Sequence, residues 1–165
     1  MIIETLTSGR LNELSAFIND CWRHAYVNIL DAGFLAGLTT EGRLFYLEGK
    51  LRRGLTAELA IDNDGIAGVV MHGPSHFPEY PKAGEINMLY VRPDLIGHGL
   101  GHRLLALAES ILSEAGYTQI ALDVFSANAH AIGFYERHGY AKSGGKTDDI
   151  EGKVYALDIM VKVMP

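Results

Sequence analysis

The spacing of apolar residues along the chain separates it into helical and extended segments. Apolar positions that recur every three or four residues predict helices, because 3.6 residues complete one helical turn. This spacing predicts five helices, at residues 8–26, 30–38, 40–53, 100–115 and 128–138. The helix at 100–115 has the clearest apolar side, formed by Leu104, Leu105, Ala108 and Leu112. That side is expected to pack against the core.

Shorter apolar runs, bounded by Gly, Pro, Asn and Asp, predict seven β-strands. They lie at residues 2–6, 55–61, 66–71, 85–91, 118–124, 140–143 and 153–163. A turn sequence at residues 62–65, Asp-Asn-Asp-Gly, predicts a hairpin between the second and third strands. A polar turn around residues 147–152 separates the last two strands. Only the fourth and fifth strands are joined by a long helix, so only that pair is expected to be parallel. The pattern predicts an α/β fold with a mixed sheet, in a single domain of residues 1–165.

Composition narrows the possible partners. The 165 residues carry a formal net charge of −6 and no run of Lys or Arg, so neither nucleic acid nor an anionic membrane is an expected partner. A negative surface is compatible with a cationic substrate such as an amine. The single cysteine, Cys21, excludes an internal disulfide, and its apolar helical setting predicts a buried side chain rather than a catalytic thiol. With no signal peptide or membrane span predicted, we expect a cytoplasmic protein.

A glycine-rich run carries the strongest chemical signal. Residues 96–101, Ile-Gly-His-Gly-Leu-Gly, follow the fourth strand directly and open the helix at 100–115. Glycines let the backbone turn tightly and approach a ligand closely. The first N–H groups of a helix have no internal partner, and the helix dipole favours negative charge there. The run therefore indicates a site for an anionic, nucleotide-like ligand, although a tight turn without any ligand has the same local pattern.

Two common phosphate-binding motifs do not fit this run. A P-loop requires Gly-Lys-Ser/Thr five residues after its first glycine, whereas Gly97 is followed at that spacing by His102 and Arg103. The dinucleotide fingerprint requires Gly-x-Gly-x-x-Gly, whereas the glycines here are spaced Gly-x-Gly-x-Gly. Other residues must identify the ligand.

The segment around the glycine run resembles motif A of the GNAT N-acetyltransferase superfamily, Gln/Arg-x-x-Gly-x-Gly/Ala. Gly99 and Gly101 match its glycines, and Ile96 stands where the motif has Gln or Arg. Residues 128–140, Asn-Ala-His-Ala-Ile-Gly-Phe-Tyr-Glu-Arg-His-Gly-Tyr, are similar to the family's motif B. The resemblance covers roughly residues 55–161. It implies a twisted mixed sheet of about seven strands, flanked by helices on both faces and splayed between the fourth and fifth strands.

The same resemblance implies transfer of an acetyl group from acetyl-CoA to a primary amine, with direct attack in a ternary complex and no metal. Tyr135 would be the general acid that protonates the leaving thiolate, and Glu85 the general base. Main-chain groups and one side chain would hold the cofactor: Leu89, Val91, Gly97, His98, Gly99, Leu100, Gly101, His102 and Asn128. Trp22, Tyr26 and Asn87 are expected on the acceptor side, together with His76, Phe77 and Tyr80.

The sequence leaves several alternatives open. The same fold also suits a sensor that binds acyl-CoA without chemistry, although such a module needs neither Tyr135 nor Glu85. An enzyme of another class that uses the turn for a different nucleotide is a further alternative. The acceptor is a small-molecule or peptide amine that the residues do not identify, and a homodimer is compatible with the family resemblance.

Overall fold

The computed structural model describes residues 1–165 as a seven-stranded sheet with helices on both faces. The strands are β1 (Ile2–Thr5), β2 (Thr56–Asp62), β3 (Gly65–Pro74), β4 (Gly84–Val91), β5 (Gln119–Phe125), β6 (Ala141–Ile150) and β7 (Lys153–Val163). The helices are α1 (Leu11–Ala25), α2 (Ala32–Ala36), α3 (Thr40–Arg52), α4 (Leu100–Glu114) and α5 (Ala129–Arg137).

The sheet has the order β1-β2-β3-β4-β5-β7-β6. All neighbouring pairs are antiparallel except β4 and β5, which the long crossover through α4 makes parallel. The expected α/β fold with a mixed seven-stranded sheet is confirmed. Only two residue pairs join β4 to β5, Gly84 with Ile120 and Glu85 with Ala121, so the two strands separate beyond Glu85. The splay predicted between the fourth and fifth strands is therefore present.

Each face of the sheet is covered by its own helices. On one face, Leu14 and Ile18 of α1 and Leu47 of α3 pack with no exposed surface against β2, β3 and β4. On the other face, α4 and α5 cover the sheet, with Leu104 of α4 lying directly over Gly68 of β3. A Cβ atom on Gly68 would stand 2.8 Å from the Leu104 side chain, so glycine there allows α4 to approach the strand closely. The hydrophobic core is therefore divided into separate clusters, one on each face of the sheet.

The structure corrects the predicted ends of two elements. The helix expected at residues 30–38 is shorter, because Asp31 caps α2 by accepting a hydrogen bond from the Phe34 N–H at 3.1 Å. The strand expected at 140–143 continues to Ile150, through the residues predicted to form a polar turn. Its glycines and charged residues have low strand propensity, and pairing with β7 along its whole length overrides that preference.

None of the helices combines the length and the apolar composition that crossing a bilayer requires.

Candidate active site

A cleft of about 790 Å³ opens where β4 and β5 separate. The register between β3 and β4 shifts by one residue here: Met71 faces Met88, but His72 faces Ile86. The extra residue in β4 is Asn87, so Asn87 forms a β-bulge two residues after Glu85, the last residue that pairs with β5. A bulge bends its strand locally. The bulge therefore accounts for the point at which the two strands part and the cleft begins.

The glycine run forms one end of the cleft. Four consecutive N–H groups, those of residues 99–102, make no hydrogen bond to a backbone carbonyl, as expected for the first turn of α4. The positive end of the helix dipole lies at the same place. These donors form a site for a phosphate group without any charged side chain. The His98 N–H differs, since it donates to the Leu95 carbonyl at 3.3 Å.

Two glycines of the run adopt a conformation that other residues avoid. Gly97 and Gly99 both have φ of +84°, in the left-handed region, and a Cβ atom added at either would meet nothing within 4 Å. Glycine is thus required by backbone geometry rather than by a lack of space. The left-handed residue at 99 turns the chain from the strand into α4 and leaves the following N–H groups open to the cleft.

The main chain of β4 lines the gap beside the glycine run. The Arg92 N–H donates to the Ala67 carbonyl, on the β3 side of the strand. Because the main-chain groups of successive residues alternate between the two sides of a strand, those of Leu89 and Val91 point away from β3 and into the gap. Both residues line the cleft. The structure therefore presents the backbone groups that the sequence predicted to contact a cofactor.

Tyr135 of α5 lies on the wall of the cleft between the two separating strands. Its side chain is 9% exposed, and burial raises its pKa well above the usual range for tyrosine, with the nearby Tyr90 and Asp123 adding to the effect. The phenol is therefore fully protonated at neutral pH. Asn128 caps the same helix by accepting from the Ala131 N–H at 3.1 Å, which leaves its amide Nδ2 free to reach into the cleft.

Glu85 is enclosed by hydrogen-bond donors and does not line the cleft. Its carboxylate accepts from the His76 N–H at 2.9 Å, from His76 Nδ1 at 2.8 Å and from Asn87 Nδ2 at 2.6 Å. Arg53 Nη2 lies 3.4 Å from Glu85 Oε1. Burial alone raises the pKa of this carboxyl, but the donors from His76 and Asn87 outweigh burial and lower it to about 2. Glu85 is thus a firmly ionised group with little basicity of its own.

His76 is hydrogen-bonded to Glu85 and connects it to the cleft. A carboxylate can only accept, so His76 Nδ1 bears the proton of that hydrogen bond, and in the neutral imidazole Nε2 is the acceptor nitrogen. The imidazole is 35% exposed and lines the cleft. Beside it, Asn87 Oδ1 is buried without a partner, because the amide group of Asn87 is engaged with Glu85. The cleft therefore presents one imidazole nitrogen as an acceptor near the bulge, and the unpartnered amide oxygen of Asn87 is buried beside it.

The far side of the cleft is formed by α1 and α3. Trp22 and Tyr26 lie here as predicted, with the Tyr26 hydroxyl 3.1 Å from that of Tyr90. Cys21 also lines the cleft, but burial raises the pKa of its thiol to about 12, which leaves it protonated and unreactive. The sequence did not indicate the residues that α3 contributes. They occupy one face of that helix: Arg43, Tyr46 and Lys50.

The cleft brings most of the predicted site residues together. Twelve of the seventeen line it: Trp22, Tyr26, His76, Asn87, Leu89, Val91, Gly97, Gly99, Gly101, His102, Asn128 and Tyr135. The other five do not, and of these Leu100 and Phe77 pack in the core instead: Phe77, Tyr80, Glu85, His98 and Leu100. No group of three or more His, Cys, Asp or Glu side chains is placed to hold a metal ion.

Comparisons with known proteins agree with this geometry. Residues 18–140 match the sequence profile of the acetyltransferase (GNAT) family. The aminoalkylphosphonate N-acetyltransferase of Salmonella typhimurium is 34% identical over 88 residues, which represent 52% of this chain and 56% of that protein. The chain thus matches little more than half the length of this relative.

Two solved structures share the fold over nearly the whole chain. The ribosomal-protein-alanine N-acetyltransferase from Brucella melitensis is 24% identical, with a TM-score of 0.75 and coverage of 99% of this chain and 100% of that chain. The PaiA N-acetyltransferase from Thermoplasma acidophilum, in complex with coenzyme A, is 21% identical, with a TM-score of 0.72 and 99% of both chains covered. At these identities the likeness concerns the fold alone.

Proposed function

The chain belongs to the GNAT family of acetyltransferases, and on that premise we propose that it moves an acetyl group from acetyl-CoA to a primary amine by direct attack in a ternary complex. The observation that carries the proposal is the row of four unpartnered N–H groups at residues 99–102, which opens onto a cleft between separated strands. A pyrophosphate fits such a row of donors. Coenzyme A in the structure of the Thermoplasma protein supports the same cofactor here.

The main chain does the work of binding and polarisation. The N–H groups of residues 99–102 bind the pyrophosphate. Because Ile96 supplies no polar side chain, this binding depends on the backbone. Acetyl-CoA supplies the activated acyl group and the thiol that leaves. The main-chain N–H groups of Leu89 and Val91 point into the gap, where a fixed donor stabilises negative charge on the acyl oxygen.

Proton transfer is divided between the two sides of the cleft. The acceptor ammonium loses its proton to His76 Nε2, while Glu85 holds the imidazole in the tautomer that can accept it. The amine nitrogen then bonds to the acyl carbon as the carbon–sulfur bond breaks. Tyr135 donates its hydroxyl proton to the departing sulfur, and the second proton that the nitrogen loses as the amide forms returns through water to the phenolate. The base role predicted for Glu85 is thus proposed to pass through His76.

A panel of primary amines assayed with acetyl-CoA tests the proposal directly. We expect thiol release that depends on the amine, with an N-acetylated product of the expected mass. Calorimetry with CoA, ATP and NAD, run on the same protein, separates the alternatives. Tight CoA binding with no thiol release from any amine would favour the sensor, and preference for ATP or NAD would favour another class of enzyme.

The glycine at position 99 offers a sharp test of the cofactor site. Gly99→Ala forces a left-handed conformation on a residue that resists it by about 1–2 kcal/mol, so the backbone relaxes and the N–H groups lose their alignment. We expect a roughly tenfold or greater loss of CoA affinity by calorimetry. Gly116→Ala is the matched control, since Gly116 has φ of +94° and open space at the other end of α4. Equal losses of affinity in the two variants would contradict a role for residues 99–102.

A further inference from the structure

Arg43 is a buried cation without an acidic partner. It lies on α3, its residue is 7% exposed, and its Nε donates to Asn19 Oδ1 at 3.0 Å. Its guanidinium stacks on Trp22, 4.3 Å from the ring centre, and stands 5.4 Å from the ring centre of Tyr46. No Asp or Glu forms a hydrogen bond or ion pair with the group, and burial lowers its pKa from the ordinary value. The two terminal nitrogens, Nη1 and Nη2, therefore have no partner in the protein.

The protein compensates this cation only in part, through the amide of Asn19 and the rings of Trp22 and Tyr46. A buried guanidinium stays charged, because its ordinary pKa lies far above neutral pH. Stacking on an aromatic ring compensates only a small part of the free-energy cost of burying a charge. The planar fork of Nη1 and Nη2 matches the oxygens of a carboxylate or phosphonate, which bind it in a bidentate manner. Arg43 lines the cleft, so a bound anion can supply the missing partner.

A second donor on the same wall lacks a partner as well. Trp22 Nε1 is buried without a hydrogen-bond acceptor, although its ring lies against the Arg43 guanidinium. Buried indole N–H groups ordinarily find an acceptor. Two neighbouring orphan donors, one of them charged, point to a single ligand group that accepts hydrogen bonds.

The charges around Arg43 favour the same conclusion. Tyr46 and Lys50 follow Arg43 at intervals of three and four residues, so the face of α3 toward the cleft carries two cations and no acid. The acidic residues of the cleft are occupied elsewhere, because Asp123 pairs with Lys146 at 2.6 Å and Asp148 lies 3.7 Å from the same Nζ. A chain with a net charge of −6 thus places a positive, unpaired surface inside its cleft.

Arg43, Tyr46 and Lys50 form the α3 wall of the cleft. This wall lies on the face of the sheet opposite the glycine run. The α1 and α3 helices cover one face, whereas α4, which begins at the phosphate site, covers the other. The cleft connects the two faces through the gap between β4 and β5. A cofactor held at the α4 end leaves the α3 wall for the second substrate.

We infer that the acceptor is a primary amine that also carries a carboxylate or phosphonate group, and that Arg43 binds this anion together with the Trp22 indole N–H. The inference rests on the proposed acetyl transfer and adds the chemical class of the acceptor. Lys50 adds a more distant positive charge, while His76 presents an acceptor toward the amine. The acceptor therefore spans the cleft from the α3 wall to the bulge in β4.

Matched pairs of amines test the inference. Each pair consists of an anionic amine and its neutral counterpart, such as an amino acid with its amide, or an aminoalkylphosphonate with the corresponding amino alcohol. We expect kcat/KM to favour the anionic member about 10- to 100-fold, the range of a charge-assisted hydrogen bond. Comparing the carboxylate pairs with the phosphonate pairs shows which anion the site prefers.

Variants of Arg43 test whether the preference for anionic amines depends on this residue. Arg43→Met keeps the length of the side chain and is expected to lower kcat/KM for anionic amines about 10- to 100-fold, with less than about threefold change for the neutral counterparts. Arg43→Lys keeps the charge but lacks the bidentate fork, so it should retain part of the preference. Arg52→Met, at an exposed position of the same helix, is the control and should match the unaltered protein. Equal losses for anionic and neutral amines would overturn the inference.

A binding measurement keeps the inference separate from the proposed activity. Trp22 is the only tryptophan of the chain, so its indole N–H gives one resonance in a nitrogen–proton NMR spectrum. Titration with the preferred anionic amine should shift that resonance saturably in the unaltered protein, and not in Arg43→Met. A saturable shift without acetylation of any amine would refute the proposed transfer but support the anion site. No shift with any anionic amine would overturn the anion site even if neutral amines were acetylated.

Discussion

Replacing Tyr135 by Phe is expected to lower the turnover number about 100- to 1000-fold while leaving the affinity for CoA within about twofold. The change removes one oxygen atom from a wall of the cleft and keeps the packing of the ring. A general acid contributes typically 10²–10⁴-fold to a rate, because without it the sulfur must leave as an unprotonated thiolate. Steady-state kinetics and calorimetry with CoA measure the two quantities separately.

The control for this variant is Tyr117→Phe. Tyr117 packs partly buried against the same core as Tyr135 but does not line the cleft, so its loss should leave turnover unchanged. Because the pKa of Tyr135 is raised well above the usual range, its donor form persists as pH rises, and the unaltered protein should show no loss of turnover from this group between pH 6 and about 10. Full turnover in Tyr135→Phe would remove the tyrosine from the acid role.

The cofactor half of the site could be predicted because its residues are nearly contiguous. The strand, the glycine run and the start of α4 occupy one short stretch of sequence, and strand alternation places the main-chain groups of Leu89 and Val91. Asn128 and Tyr135 belong to a second local pattern on one helix. The order and spacing of residues along the sequence were therefore enough to predict the cofactor side of the cleft.

The acceptor half depends on contacts between distant segments. Glu85 was predicted as a base from its position in β4. Its pKa is low because His76, in the preceding loop, and Asn87 donate hydrogen bonds to it. Asn87 is the residue of a β-bulge, which strand alternation does not reveal. Arg53, which follows α3, also reaches Glu85 from 32 positions away. Arg43 was missed because the helical pattern of α3 shows which residues share a face but not what that face meets.

The second large effect is expected at His76, the residue through which we propose Glu85 acts. His76→Ala should lower kcat/KM about 100- to 1000-fold, because the acceptor ammonium then loses its proton only to water. The substitution leaves a space on the cleft wall where the imidazole is 35% exposed. Added imidazole should therefore restore part of the lost rate, in proportion to its concentration, and CoA affinity should stay within about twofold.

The low pKa of Glu85 and a pair of variants distinguish His76 from Glu85 as the group that accepts the proton. With a pKa lowered to about 2, Glu85 is ionised at every pH above about 4, and its ionised state is lost only as pH falls toward 2. A fall in kcat/KM between pH 8 and pH 5 therefore does not report protonation of Glu85. Glu85→Gln should lose about 10- to 100-fold in rate, less than His76→Ala, because the amide orients the imidazole less firmly than the carboxylate does. A larger loss in Glu85→Gln than in His76→Ala, together with no imidazole rescue of His76→Ala, would return the base role to Glu85 itself.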